Sequence, residues 1–365
     1  MNAVLPFEKA SGICLQWMKE LSPESDENTC MLGILVCTDG TVLRAFSGLN
    51  KKLLGRPEYV PPCFDPAQFD KNSSDWDALL DTYRFHCIDH NVRTLREVFA
   101  DAPSGTGDCC APRLLCRCFE LGKKPLSMAE FFWGDSPYRR GSFHNPCDSR
   151  CKGLLKHILG LDVVYADEDI VVVNKPHGLL AIEGKTEKDC VASRVRNLYS
   201  WSIAQPCVHR LDQATGGLMV LGLSQKAHDR LSSDFENRRV KKTYTALIDG
   251  KLLEEKGTIS MKIRPDIENR PYQIVSDDGK ESITGFERIR IEKHENRFVT
   301  RVLFRPLTGR THQIRVHSAY GLKMPVVNDN LYGKGGPMLC LCASSLEFTH
   351  PVTGKTMSFE VEPEF

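Results

Sequence analysis

The sequence predicts an α+β protein of two domains, residues 1–160 and 161–365. Three observations carry this. A chain of 365 residues with 41% hydrophobic content can bury more than one core. Residues 1–160 combine helical apolar periods with a strand hairpin. From Gly160 onward the texture changes to β-branched runs broken by turn residues, with helices between them.

Each element follows in order. Residues 5–20 space their apolar positions as a helix does, ending at Ser22-Pro23 with a polar stretch behind. Runs 31–37 and 41–47 flank Thr38-Asp39-Gly40, a strand, tight turn and strand whose Asp-Gly pair tolerates positive φ. Residues 55–75, rich in Pro, Asp and Ser, read as a surface loop. Residues 76–99 resume a helical period through Leu79, Leu80, Tyr83, Cys87, Val92, Leu95 and Phe99, a helix expected to cover the hairpin. A glycine-rich turn at 103–109 feeds a helix through Leu114, Leu115 and Phe119, and Cys147-Asp-Ser-Arg-Cys151 opens another through Leu154, Leu155 and Ile158. In the second half, 161–175 reads as strand, acidic turn and strand. Helices are expected at 189–198, 225–236 and 310–320, the last capped by Thr308 and stopped by Gly321.

Composition excludes several classes. A formal net charge of +1 argues against a protein held on nucleic acid mainly by bulk electrostatics, although local clusters such as Arg238-Arg-Val-Lys-Lys242 can engage phosphates. No apolar run has the length of a membrane span, and the amino terminus carries no signal-like stretch, so a cytoplasmic protein is expected. The 15 cysteines, an odd number scattered over the chain, fit reduced thiols. Cys109, Cys110, Cys147 and Cys151 precede two helices and form a possible zinc site, with ordinary packed thiols as the favoured reading.

The chemistry gathers in Val208-His209-Arg210-Leu211-Asp212-Gln-Ala-Thr215-Gly216-Gly217. In extended backbone Arg210 and Asp212 project to one side while Leu211 anchors the other, before a Thr-Gly-Gly turn. This is either a presented carboxylate or a strand-end ion pair. Tyr244 follows a basic turn on a strand whose one face is Tyr244, Ala246 and Ile248. It is a core residue or, beside phosphate-binding lysines, a neighbour of a bound base. On the helix expected at 310–320, His312 and Arg315 share a face, and its apolar flanks imply a covered Arg315 that needs an anion.

In order and spacing, His209-Arg-Leu-Asp-x-x-Thr-Gly-Gly, Lys242-Thr-Tyr244 and Leu307-Thr-Gly-Arg-Thr-His-Gln-Ile-Arg-Val-His317, preceded by Asn174-Lys175-Pro176, resemble the RluA family of pseudouridine synthases over about 161–365. The resemblance implies a catalytic domain built on a mixed, largely antiparallel sheet with flanking helices. It implies that Asp212 is the catalytic aspartate, Tyr244 the active-site tyrosine, Arg315 the partner of the aspartate, and Arg210 the residue that helps displace the target nucleotide. RNA contacts are expected of Arg210, His209, Arg310 and His312. The implied reaction breaks C1′–N1 of uridine and joins C5 to C1′, which needs a carboxylate and no metal or organic cofactor. The expected partner is structured ribosomal or transfer RNA, with no membrane. Arg315 would keep a buried Asp212 ionised against desolvation. Two departures stand out: Gly216 replaces the usual Ser, and Pro325-Val-Val-Asn328-Asp329 replaces Pro-x-x-Gly-Asp. The competing readings are a non-catalytic RNA-binding relative, and a zinc deaminase-like module in 1–160 fused to a synthase. The second lacks the acidic residue expected two positions after a ligand.

Overall fold

A computed structural model describes residues 4–22, 30–64, 76–134, 136, 138–147, 149–295 and 297–365. Part of the loop expected at 55–75, namely 65–75, lies outside the described residues, as do Pro23 and Asp148. The chain divides into two compact units: one runs to Val171 and includes Arg194–Ala204, and the other comprises Val172–Ser193 and Gln205–Phe365. Among the described residues no helix is long and apolar enough to cross a membrane.

In the first unit, strands β1 (Cys30–Cys37) and β2 (Val42–Phe46) pair antiparallel around Gly40, whose φ of 86° is what the Asp-Gly turn requires. Strand β5 (Pro125–Trp133) pairs with the other edge of β1 and carries β6 (Phe143–His144), giving the order β2-β1-β5-β6. Alternate β1 side chains Leu32, Ile34 and Val36 pack with Ala10, Cys14 and Trp17 of helix α1 (Glu8–Glu20). The opposite face holds helix α4 (Cys110–Glu120). There Gly33 is necessary, because a Cβ would stand 2.7 Å from Cys110 Cβ. A strand buried on both faces explains the near-continuous apolar run of β1.

The expected helix over 76–99 does not form. Its place is taken by α2 (Trp76–Leu79), a short hairpin of β3 (Phe85–His86) and β4 (Val92–Arg93), and α3 (Leu95–Val98). The Asp89 carboxylate accepts from the Asn91 N–H at 3.1 Å while His90 takes φ 64°, an Asx turn that outcompetes the helix despite the apolar spacing. Thr94 and Glu97 then form a capping box. The hairpin is covered by α1 and α4 instead. Helix α5 (Lys152–Leu159) and strand β7 (Asp162–Ala166) complete this unit up to the start of β8 (Ile170–Lys175).

The second unit contains α6 (Val191–Leu198) up to Ser193, β9 (Gly216–Gly222), α7 (Gln225–Glu236), β10 (Lys241–Asp249), β11 (Lys256–Pro265), β12 (Gln273–Val275), β13 (Lys280–His294) and β14 (Arg297–Pro306). It continues with α8 (Gln313–Val316), a π-helical stretch His317–Gly321, β15 (Leu341–Thr349) and β16 (Thr356–Glu360). The sheet order is β12-β11-β13-β14-β10-β15-β9-β8, with β16 on β15. Strand β9 pairs parallel with β15, and β10 to β16 pair antiparallel, so the sheet is mixed and largely antiparallel. Ala246 and Ile248 on one face of β10 pack with Val302, Phe304 and Ile314, while Leu247 on the other meets Val299 and Val327.

The Thr-Gly-Gly segment is not the turn expected of it. The turn lies before it, where Thr215 N–H bonds Asp212 O at 3.0 Å, and the glycines open β9. Gly217, at φ 111°, allows the parallel contact with β15: a Cβ there would lie 2.4 Å from Ala343 O. Gly217→Ala is therefore expected to destabilise the second unit by about 2–4 kcal/mol in denaturant unfolding; a loss below about 0.5 kcal/mol would show that the β9–β15 register can shift freely.

Candidate active site

The site is built from four chain segments that converge on a cleft of about 600 Å³, lined by residues including His177, Arg210, Asp212, His312, Arg315 and Asn328. That volume suits a ligand of nucleotide size.

Asp212 sits in the loop that enters β9. Leu211 is buried beneath the loop, Arg210 is exposed at the cleft, and no hydrogen bond or ion pair joins Arg210 to Asp212 among the described residues. The loop is fixed from below by Lys175. Its buried ammonium donates to the carbonyls of Pro176, Leu179 and Gln213 at 3.0, 2.7 and 3.1 Å. Burial pulls this ammonium down to about 8, against the charge of Asp212. The Asn-Lys-Pro turn thus staples the backbone of the Asp212 loop, a role its sequence did not disclose.

Arg315, 4% exposed, stands between two carboxylates. Its Nε and Nη2 donate to Asp329 at 2.8 and 2.6 Å in a two-pronged pair, and its Nη1 lies 3.9 Å from Asp212 Oδ2. The expected Arg315–Asp212 pair is present as the longer contact, and the closer partner is Asp329, which sequence reasoning passed over. Asp212 is a quarter exposed, so burial is not what makes it need a partner. Asp329 Oδ1 also accepts from Leu331 and Tyr332 N–H at 2.8 and 3.1 Å. Burial pushes the Asp329 carboxyl up, but Arg315 and these N–H groups outweigh it and hold it below the ordinary range.

The expected helix over 310–320 begins later than its pattern suggests. Thr308 does not cap it: its hydroxyl donates to Gln313 Oε1 at 2.7 Å, and His312, at φ 55°, is the cap. The Gln313 carboxamide uses all its capacity, accepting also from Arg310 N–H and donating to Ile283 O and Thr284 Oγ1. This clamp aims His312 and Arg315 into the cleft while the Arg310 side chain stays exposed. The Tyr332 hydroxyl accepts from Gln273 N–H at 2.8 Å, which leaves its proton for Nδ1 of His312, also at 2.8 Å. Burial lowers the His312 imidazolium, so the ring is held as the neutral base.

Tyr244 lies partly buried on β10, on the face of Ala246 and Ile248. Burial, with Asp212 and Cys342 adding, pushes its phenol up, and it remains protonated. His209 is placed as scaffold: its Nε2 accepts from Val220 N–H at 3.1 Å and its ring stacks on Phe235 at 4.3 Å. Burial and the nearby Lys242 lower it to about 3.

The two departures from the usual pattern have local causes. A Cβ on Gly216 would lie 2.5 Å from His177 Nε2, an imidazole anchored through Nδ1 to Ala214 O at 2.7 Å, so His177 fills the space a serine would need. Asn328 has φ 61°, a left-handed position that glycine serves best and asparagine next.

A family model described as RNA pseudouridylate synthase matches residues 169–320. The dual-specificity RNA pseudouridine synthase RluA of Haemophilus ducreyi is 41% identical over 216 residues, covering 56% of this chain and 94% of that protein. The protein of the same name from Escherichia coli K12 is 36% identical over 213 residues, covering 56% and 94%. This chain belongs to the RluA family of RNA pseudouridine synthases. Among solved structures, human RNA pseudouridylate synthase domain containing 1 is similar at 28% identity with a TM-score of 0.49, covering 56% of this chain and 84% of that one. The matched family region holds Asp212, Tyr244 and Arg315 but stops short of Asp329. The signal for Asp329 was the Asp that ends the 325–329 segment.

Asp329→Asn should leave the buried guanidinium without its anion. The expected result is a loss of about 3 kcal/mol in urea unfolding, together with slower pseudouridine formation; unchanged stability and rate would show that Arg315 is held without Asp329.

Proposed function

We propose that this RNA pseudouridine synthase isomerises specific uridines in structured ribosomal or transfer RNA, with Asp212 attacking or stabilising the electron-poor carbon as C1′–N1 breaks and C5–C1′ forms. The observation that supports this best is the Asp212 carboxylate, standing open in a nucleotide-sized cleft with Arg315 Nη1 at 3.9 Å. Tyr244, kept as a neutral phenol beside it, packs the floor of the site against the uracil. Arg210, exposed at the cleft, enters the space the target nucleotide vacates, since C1′ and N1 are out of reach in a stacked helix. Arg310 and His312 meet the RNA backbone around the cleft, and His209 contributes by holding the loop.

The likeness to proteins named dual-specificity supports more than one RNA target. Catalysis is assigned to residues 161–365, and an orienting or structural role to 1–160. The chemistry asks for no cofactor, since the bond made replaces the bond broken and the proton lost from C5 is balanced by the proton that N1 takes up.

The test is tritium release from RNA carrying 5-tritiated uridine. The purified protein should release tritium, and Asp212→Asn should release none while binding the same RNA and unfolding at the same denaturant concentration. Activity retained by Asp212→Asn would remove the assignment. RNA binding without release by the natural protein would favour the binding-only relative.

A further inference from the structure

In the first unit, Cys109 is the N-cap of α4 and Cys151 the N-cap of α5, and Cys147 lies in the loop just before α5. Their three sulfurs all lie within 4.8 Å of one another. Thiolates bound tetrahedrally to zinc at about 2.3 Å stand about 3.8 Å apart, so shifts of an ångström or less bring the three to ligand geometry. Cys110 does not belong to the group: its sulfur turns the other way, bonding Met31 O at 3.3 Å, and its Cβ packs on Gly33.

A second, independent observation lies beside them. Glu130 on β5 is 4% exposed, and its Oε1 is buried with no hydrogen-bond partner. Glu130 pairs across the sheet with Gly33, the residue that faces α4, so its carboxylate projects toward the first turn of α4, where it accepts from the Ala111 N–H. Burial pushes its carboxyl up to about 8, and it lies within electrostatic range of Cys109 and Cys147. A buried polar atom left unpaired costs about 1–3 kcal/mol, so a hydrogen-bond partner is missing from this spot.

We infer that Cys109, Cys147 and Cys151 hold a zinc ion whose fourth position is a water hydrogen-bonded to Glu130. Three thiolates and one dication carry a net single negative charge, offset by the N-terminal ends of α4 and α5 and by the Arg150 and Cys151 N–H groups that point at the Cys147 sulfur. The zinc-bound water supplies the partner that Oε1 lacks. Three sulfur ligands, a water and a carboxylate that is not a ligand is a composition found in zinc deaminases. The acidic group missing from the helix of this chain stands on the strand. The cavity bordering Cys147 is only about 60 Å³, against the roughly 300 Å³ or more of a small-molecule site. The three sulfurs are assigned to metal binding and not to base chemistry.

The test uses the full chain, purified reduced and without chelator. Elemental analysis should find one zinc per chain, and cobalt(II) exchanged for it should give thiolate charge-transfer bands and the visible bands of a four-coordinate ion. Cys109→Ser, Cys147→Ser and Cys151→Ser should each lose the metal, while Cys110→Ser and Glu130→Gln keep it. Because a serine variant can fail through misfolding, the natural protein gives the second readout: zinc should protect three thiols from alkylation, and a chelator should expose them. Absence of zinc and of a cobalt–thiolate band in the reduced protein overturns the inference, as does metal that survives Cys147→Ser or leaves with Cys110→Ser.

Discussion

A single guanidinium organises the catalytic unit. Arg315 is buried, and taking that charge out of water costs several kcal/mol unless anions and hydrogen bonds repay it. Asp329 repays it with two bonds and is itself pinned by the N–H groups of Leu331 and Tyr332. The guanidinium is planar and rigid, so fixing Nε and Nη2 on Asp329 also fixes where Nη1 points, which is toward Asp212. The buried pair thus fixes the direction of the guanidinium edge that stands 3.9 Å from the Asp212 carboxylate.

The other half of the geometry comes from backbone. The Asp212 loop lies over a buried ammonium that holds three carbonyls, and it runs into a strand whose first residues must be glycines because Ala343 and His177 occupy the space of their side chains. Nothing in this arrangement depends on burying Asp212 itself. The carboxylate stays open to the cleft, while the groups on either side are held by hydrogen bonds. Tyr244 packs against the core from β10, and Tyr332 fixes the ring orientation of His312.

Much of this was legible where the code is local. The Asp-Gly hairpin, the helices at 110–120, 152–159 and 225–236, and the strand that carries Tyr244 follow from turn chemistry and apolar period. The helix expected over 76–99 was lost to one Asx turn at Asp89, whose side-chain bond competes with the helix at the place where apolar spacing says nothing. Thr308 looked like a cap because the sequence does not show that its hydroxyl is spent on Gln313. Asp329 was hidden for a different reason: it meets Arg315 across a separation of 14 residues, through a loop whose path no local pattern predicts. Among the thiols, the sequence does not show that Cys110 turns away from Cys109, its sulfur bonding Met31 O at 3.3 Å.

In the proposed reaction the Asp212 carboxylate is made effective by where Arg315 and the loop place it. Asp212→Glu tests this most directly, because it keeps the charge and moves the oxygens by one methylene. Single-turnover formation of pseudouridine in a structured RNA should fall by about 10²-fold or more with RNA affinity unchanged. A rate near that of the natural protein would contradict the account, since the carboxylate would then be tolerant of the displacement that the surrounding structure is built to prevent.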